Sequence, residues 1–360
     1  MRRLAAYCLA LTAVLSLTAC GGDDGTRKEG LFYEATGISP DAVLLTVDGR
    51  DIPAERYFYW LAYICDYIGE YYDEGDGIQW NETLSGETLE SYAKNRALEN
   101  TVLYATVENW AEEYGCTLTD EDRANMDREW EARVAQYGSE EAYLEVLANM
   151  GLDRTGAEAI SADYYLYSHL YNLYCAEDSA LSPRDDELET YAREQGYLTV
   201  DHIWISTAAV DPADTEAYSA CRAKAEEAFS KLNESATPLS DFAVLAATYS
   251  DETDREQHPE GRTFAIGDGT MPEAFEAAAQ ELEENQWSGI VEADDGFYII
   301  LRKPLNLDAV SPDYFDALLQ AAAESAEVTF SDHYEELTAS DFYSGLLSAR
   351  AALEGTAAEE

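Results

Sequence analysis

Val200-Asp201-His202-Ile203-Trp204-Ile205 and, far downstream, Gly296-Phe297-Tyr298-Ile299-Ile300-Leu301-Arg302 are the two runs from which the fold is read. Both are short, apolar, and rich in β-branched and aromatic side chains, so each reads as a β-strand. Between them, helical spacing covers Thr215–Leu232 and Leu239–Thr248. The polar loop Tyr249-Ser250-Asp251-Glu252-Thr253 follows, then a segment with Gly267, Gly269, Met271 and Phe275, and a short helix at Pro272–Leu282. Strands at the two ends with helices between predict an α+β unit over 196–304.

Upstream, Met1-Arg2-Arg3, an apolar run over Leu4–Ser16 and the small residues before Cys20 have the layout of a secretory signal. Leu17-Thr18-Ala19-Cys20 resembles the bacterial lipobox, in which the chain is cleaved before the cysteine and the thiol is diacylated. The expectation is a signal peptide over 1–19, a lipid anchor at Cys20 in the cell membrane on its extracytoplasmic side, and a polar, Gly-rich flexible tether over 20–39.

A helical domain is expected over 40–195. Ala42–Val47 reads as a strand, Asp48-Gly49 as a turn, and Ile52-Pro53-Ala54-Glu55 as the start of a helix. Further helices are predicted at Leu89–Tyr114, from Thr119 toward Tyr137, at Glu140–Met150, Thr155–Cys175 and Arg184–Glu194. Past Pro304, Ser311–Ala323 and Thr338–Glu354 read as helices and Val328–Phe330 as a strand. Tyrosine accounts for 26 residues and crowds two of these helices. Either they pack an ordinary amphipathic core or they line a cradle for unfolded segments.

The order of blocks resembles the parvulin family of peptidyl-prolyl cis/trans isomerases. The blocks are His202-Ile203 in the first strand, Asp241–Ala246 before Tyr249-Ser250-Asp251, Met271 four residues before Phe275, and Gly296 opening the last strand. The beginning, strand–Asp-Gly–Ile–helix, resembles extracytoplasmic foldases of the SurA and PrsA type. The resemblance implies a parvulin-like, FKBP-like domain with a small antiparallel sheet flanked by helices. It also implies that 305–360 returns to the N-terminal domain, with Val328–Phe330 beside Val43–Val47.

By the same resemblance, His202, Glu252 and Tyr298 are the candidate catalytic residues. Met271 and Phe275, with Phe264 or Ile266, are the candidate proline cup. Two departures stand out. Tyr298 replaces the usual second histidine, and a phenol cannot reproduce imidazole tautomer exchange. Glu252 stands where the family carries cysteine or aspartate. The implied activity is isomerisation of X–Pro bonds in unfolded exported proteins. The rival is a chaperone whose degenerate isomerase domain binds peptides without accelerating them.

Composition narrows the field. With Lys+Arg at 22 and Asp+Glu at 73, the net charge is −51, which excludes nucleic acid as a partner. The acid excess serves solubility or attracts cationic clients. The four histidines are too dispersed for a metal site, no phosphate or dinucleotide loop is present, and neither metal nor cofactor is expected. Cys65, Cys116, Cys175 and Cys221 could pair in three ways or stay as thiols. Alternating βα units are lacking, which argues against a solute-binding lipoprotein.

Overall fold

The computed structural model describes residues 24–357 apart from 74, 76, 177, 178 and 212. The expected signal peptide over 1–19 and the expected anchor Cys20 lie outside the described residues. The chain begins with α1 (Leu31–Thr36), β1 (Val43–Val47), β2 (Arg50–Pro53), α2 (Ala54–Tyr72), β3 (Thr83–Leu84) and β4 (Glu87–Thr88). It continues through α3 (Leu89–Glu113), α4 (Asp120–Tyr137), α5 (Glu140–Asn149), α6 (Arg154–Cys175) and α7 (Asp185–Glu194). Next come β5 (Tyr197–Ser206), α8 (Thr215–Glu234), α9 (Pro238–Tyr249), β6 (Arg262–Ala265), α10 (Glu273–Gln280), β7 (Val291–Ala293) and β8 (Gly296–Lys303). It ends with α11 (Leu307–Ser325), β9 (Val328–Phe330), α12 (Asp332–Glu336) and α13 (Ala339–Ala357). Helices dominate and the paired strands are antiparallel, so the fold is α+β.

The chain divides into two units, one from Pro183 to Asp316 and one from the segments on either side. In the flanking unit, β1 is the middle strand of a three-stranded sheet, between β2 and β9. Leu45 stands opposite Phe330 and Val47 opposite Val328. The β1–β2 turn is Asp48-Gly49, both at positive φ (49° and 82°), the two-residue geometry suited to strand twist. The helix expected from Ile52 starts at Ala54, because Ile52 and Pro53 complete β2.

The tether expected over 20–39 also needs correction. Leu31–Thr36 is helical, and Leu31 and Phe32 are buried. Phe32, Phe58 and Phe342 form a ring cluster with centroids 5.3 to 6.2 Å apart. Gly345 lets α13 approach α1; a Cβ there would lie 2.1 Å from the Ala35 carbonyl oxygen. The tyrosine-rich α2 serves two environments. Tyr57 is fully buried, whereas Tyr63, Tyr67 and Tyr71, spaced four apart, are exposed. Two shorter pieces, the β3–β4 hairpin and α12, carried too little periodicity to be predicted.

The Pro183–Asp316 unit is wider than the 196–304 read from sequence. Tyr191 of α7 packs on Tyr197 and Tyr314 at 6.1 and 5.1 Å, and the Tyr197 hydroxyl donates to Asp313 at 2.5 Å. These contacts bind α7 and the first turns of α11 to the sheet. Helix α11 begins at Leu307 rather than Ser311, and Pro312 lies inside it. The sheet has the order β6-β5-β8-β7. Because side chains alternate along a strand, its two faces separate cleanly. Ile203, Ile205, Phe297, Ile299 and Leu301 pack with α8 and α9; Leu198, Val200, Tyr298 and Ile300 pack with α10.

Candidate active site

His202 lies on the α10 face of the sheet, opposite Ile300, in the same period-2 set as Val200 and Trp204. Trp204 stands opposite Tyr298. At the turn into β8, Gly296 has φ 149°, and a Cβ there would lie 2.2 Å from the Ile205 carbonyl oxygen. Only glycine admits this close approach, which sets the register of β8 and hence the height of Tyr298.

β6 pairs with β5 only along Tyr197–Val200. Beyond that point the free edge of β5 is covered by Ser250-Asp251. Trp204 N donates to Ser250 Oγ at 3.0 Å, Asp251 N donates to the Trp204 carbonyl at 2.7 Å, and Ser206 N donates to Asp251 Oδ2 at 2.9 Å. The Tyr-Ser-Asp block therefore substitutes for a strand. It delivers Glu252, whose Oε2 lies 3.5 Å from His202 Nε2.

Phe275 enters from α10 and occupies the centre of an aromatic cluster. Its ring centroid is 5.5 Å from His202, 5.1 Å from Tyr298 and 6.1 Å from Phe264. Met271 and Ile266 pack against the same cluster and are partly exposed. They sit on a loop held by the buried Glu276, which accepts from Gly267 N at 2.9 Å, and by Asp268, which accepts from Ala265 N and Thr270 N. Phe264 belongs to strand β6, and Ile266 follows it directly.

The cup differs from expectation in one respect. Phe275 and Phe264 are 0% and 2% exposed. They form a packed floor, and of the expected cup residues only Met271 and Ile266 are partly exposed. Tyr298 differs too. Its hydroxyl donates to Asp295 Oδ2 at 2.6 Å, so it is not the hydrogen-bond partner of His202, whose ring centroid is 5.8 Å away. Burial and the Asp295 carboxylate raise the phenol's pKa well above its usual range.

Burial likewise pushes the His202 imidazole below its ordinary value, against the pull of Glu252 and Asp201, so the ring is neutral at pH 7. Each of those acids is matched by a guanidinium. Arg262 donates to Glu252 at 2.8 Å and to Asp254 at 3.0 Å, and Arg255 donates to Asp201 at 2.7 Å. The two acids nearest His202 are thus each paired with a cation inside a strongly acidic chain, and Arg262 is shared with Asp254. The site brings together a neutral imidazole, a tethered carboxylate and the partly exposed apolar Met271 and Ile266.

Residues 202–303 match the sequence profile of the family described as Rotamase, the PPIC-type PPIase domain. This stretch is a PPIC-type domain. Over 62 residues the chain is 47% identical to the putative peptidyl-prolyl cis-trans isomerase dodo of Drosophila melanogaster, an alignment covering 17% of this chain and 36% of that relative. The chain is 19% identical to foldase protein PrsA from Streptococcus pneumoniae, covering 76% of this chain and 93% of that one, with a TM-score of 0.26. With PrsA from Bacillus subtilis the identity is 16%, the coverage 74% and 85%, and the TM-score 0.25.

The PPIC-type domain thus gathers His202, Glu252, Tyr298, Phe264, Ile266, Met271 and Phe275 around one face of its sheet. Sequence reasoning missed Arg262, Asp295 and Trp204. Arg262 clamps the carboxylate, Asp295 holds the phenol, and Trp204 stacks on Tyr298 at 6.2 Å and 13°. Asp295 stands just ahead of the last strand, and nothing in the pattern marked the aspartate as a partner for a tyrosine three residues on. Cys65, Cys116, Cys175 and Cys221 are all free thiols.

Proposed function

We propose that the chain is an extracytoplasmic foldase. Its PPIC-type domain speeds cis/trans isomerisation of X–Pro bonds in exported, incompletely folded proteins, and its flanking unit holds such chains. The observation that carries the reading is the convergence of His202, Glu252 and the Met271–Phe275 stretch from three separate segments onto one face. Rotation about a prolyl bond faces a barrier of about 20 kcal/mol because the C–N bond is partly double. Twisting it needs no nucleophile and no metal. It needs an apolar seat that fixes the ring, exclusion of water, and polar groups that favour the less conjugated amide. Met271 and Ile266 supply the seat over the Phe275 floor, and neutral His202 with Glu252 supplies the polar wall.

A second reading, a peptide holder without catalysis, is favoured by the commitment of the Tyr298 hydroxyl to Asp295 and by the closed packing over Phe275. Exchange measurements by NMR on a prolyl peptide, with the full chain added, separate the two. Acceleration that Met271→Ala abolishes supports the enzyme; a bound peptide exchanging at its spontaneous rate supports the holder and rejects the enzyme.

The lipobox-like Leu17-Thr18-Ala19-Cys20 supports anchoring of this foldase in the membrane through a diacylated Cys20. Cys20→Ala is expected to release the chain from the membrane fraction. Retention of the variant there would refute the anchor.

A further inference from the structure

The flanking unit contains a cavity of about 210 Å³ bordered by α2, α3 and α6. Tyr59, Trp60 and Tyr104 form an aromatic wall, with Trp60 stacked on Tyr104 at 5.1 Å and 17°. The lining carboxylates are Glu55, Asp153 and Asp163, and Arg56 is matched to Asp163 at 2.7 Å. Asp163 is 3% exposed and Glu108 also contacts Arg56, at 3.3 Å. With Asp163 committed to Arg56, Glu55 and Asp153 are left to face Arg27.

Arg27 comes from the segment ahead of α1. Its backbone N donates to Asp41 at 3.0 Å and its carbonyl accepts from Ser39 Oγ at 2.5 Å, which fix the segment in place. Its guanidinium is bonded to Glu55 and lies 3.7 Å from Asp153, yet its Nε is buried without a partner. A planar cation therefore already sits beside the aromatic wall, in a fit that leaves one donor unsatisfied.

We propose that this cavity takes an arginine side chain from an extended cationic peptide, and that Arg27 is its resident occupant, displaced when the peptide binds. A guanidinium stacks on aromatic faces and pairs with carboxylates in a fixed plane, and this cavity offers both. The cavity holds one side chain rather than a folded surface, which suits an unfolded client. The chain's net charge of −51 would draw such segments in. The inference rests on the reading of the flanking unit as a holder of unfolded chains.

The test titrates the full chain by calorimetry with a short capped peptide containing one arginine and with its citrulline twin, which keeps the shape and loses the charge. The arginine peptide is expected to bind at least tenfold tighter than the twin, Arg27→Ala to tighten it about tenfold, and Glu55→Gln to weaken it about fivefold. Both substitutions are at partly exposed side chains, so folding is retained. Equal affinity for the twin peptides, or no gain from Arg27→Ala, overturns the inference. Suppression of aggregation of an unfolded protein by the same samples keeps the two levels apart. Its absence rejects the wider holding function, whereas suppression with no arginine preference rejects the cavity alone.

Discussion

Tyr298 donates its hydroxyl to Asp295 Oδ2 at 2.6 Å, and this bond holds the ring in the aromatic cluster beside His202. Asp295 Oδ1 is buried with no other partner. Tyr298→Phe therefore strands a carboxylate while leaving the His202–Glu252 pair intact. We expect a loss of about 1–3 kcal/mol in urea unfolding, with isomerisation slowed by less than about threefold. A far greater loss of rate at retained stability would show that the phenol acts on substrate.

The seat and the floor should behave differently. Met271 is partly exposed, so Met271→Ala should cost less than about 1.5 kcal/mol yet lower kcat/KM by about tenfold or more. Phe275 has no exposure, and Phe275→Ala should cost about 3–5 kcal/mol of stability. Full activity in Met271→Ala would mean that the ring docks elsewhere.

Burial holds His202 neutral, whereas in the unfolded chain its imidazole takes a proton near pH 6.5. The depressed pKa fixes the sign. Its contribution to stability is complete above about pH 6.5 and is lost as pH falls toward the folded-state value, by at most about 1.4 kcal/mol per pH unit. Unfolding curves between pH 7.5 and 5.5 should show this loss, and His202→Asn should reduce it. Isomerisation should be flat from pH 7 to 9.

Arg262 is one of the cations that depress the His202 pKa and also holds Glu252. Arg262→Gln should raise the His202 pKa, read from the pH dependence of its ring proton shifts in NMR, and lower kcat/KM by freeing the carboxylate. An unmoved titration would show that the guanidinium does not act on the imidazole.

In the flanking unit, burial raises the Asp163 carboxyl to about 7, against the pull of Arg56 and helped by Glu108. The protonated acid is favoured on folding, so stability from this group is full below about pH 4. It is lost as pH rises through 7. Asp163→Asn fixes the neutral form, and the variant's unfolding midpoint should fall less than the wild type's between pH 6 and 8. Parallel curves would place the proton elsewhere.

The elements with strong periodicity were readable from sequence, among them the long α3, the two helices between β5 and β6, and the apolar strands that carry His202 and Tyr298. The helix start read at Thr119 is sharp because Thr119 makes a full capping box with Asp122. Short pieces escaped. Leu31–Thr36 was hidden in a polar setting, although Phe32 supplies much of its stabilisation by burial. Arg50–Pro53 was hidden because a proline after a turn reads as easily as the start of a helix. Within the site, side chains that converge in space were named from the resemblance, but their partners were not. Arg262 and Asp295 bond across a loop and a turn, and local pattern carries no record of such pairings.

The pairing of Thr46 with Thr329 joins residues 283 positions apart, their hydroxyls 2.7 Å from each other. During synthesis from the N-terminus, the whole PPIC-type domain leaves the ribosome before the strand that completes the first sheet exists. One flank of β1 waits unpaired throughout that interval, and closing it carries the entropy of a very long loop. The chain thus spends a long part of its synthesis with its first sheet unfinished, until Val328–Phe330 arrives to complete it.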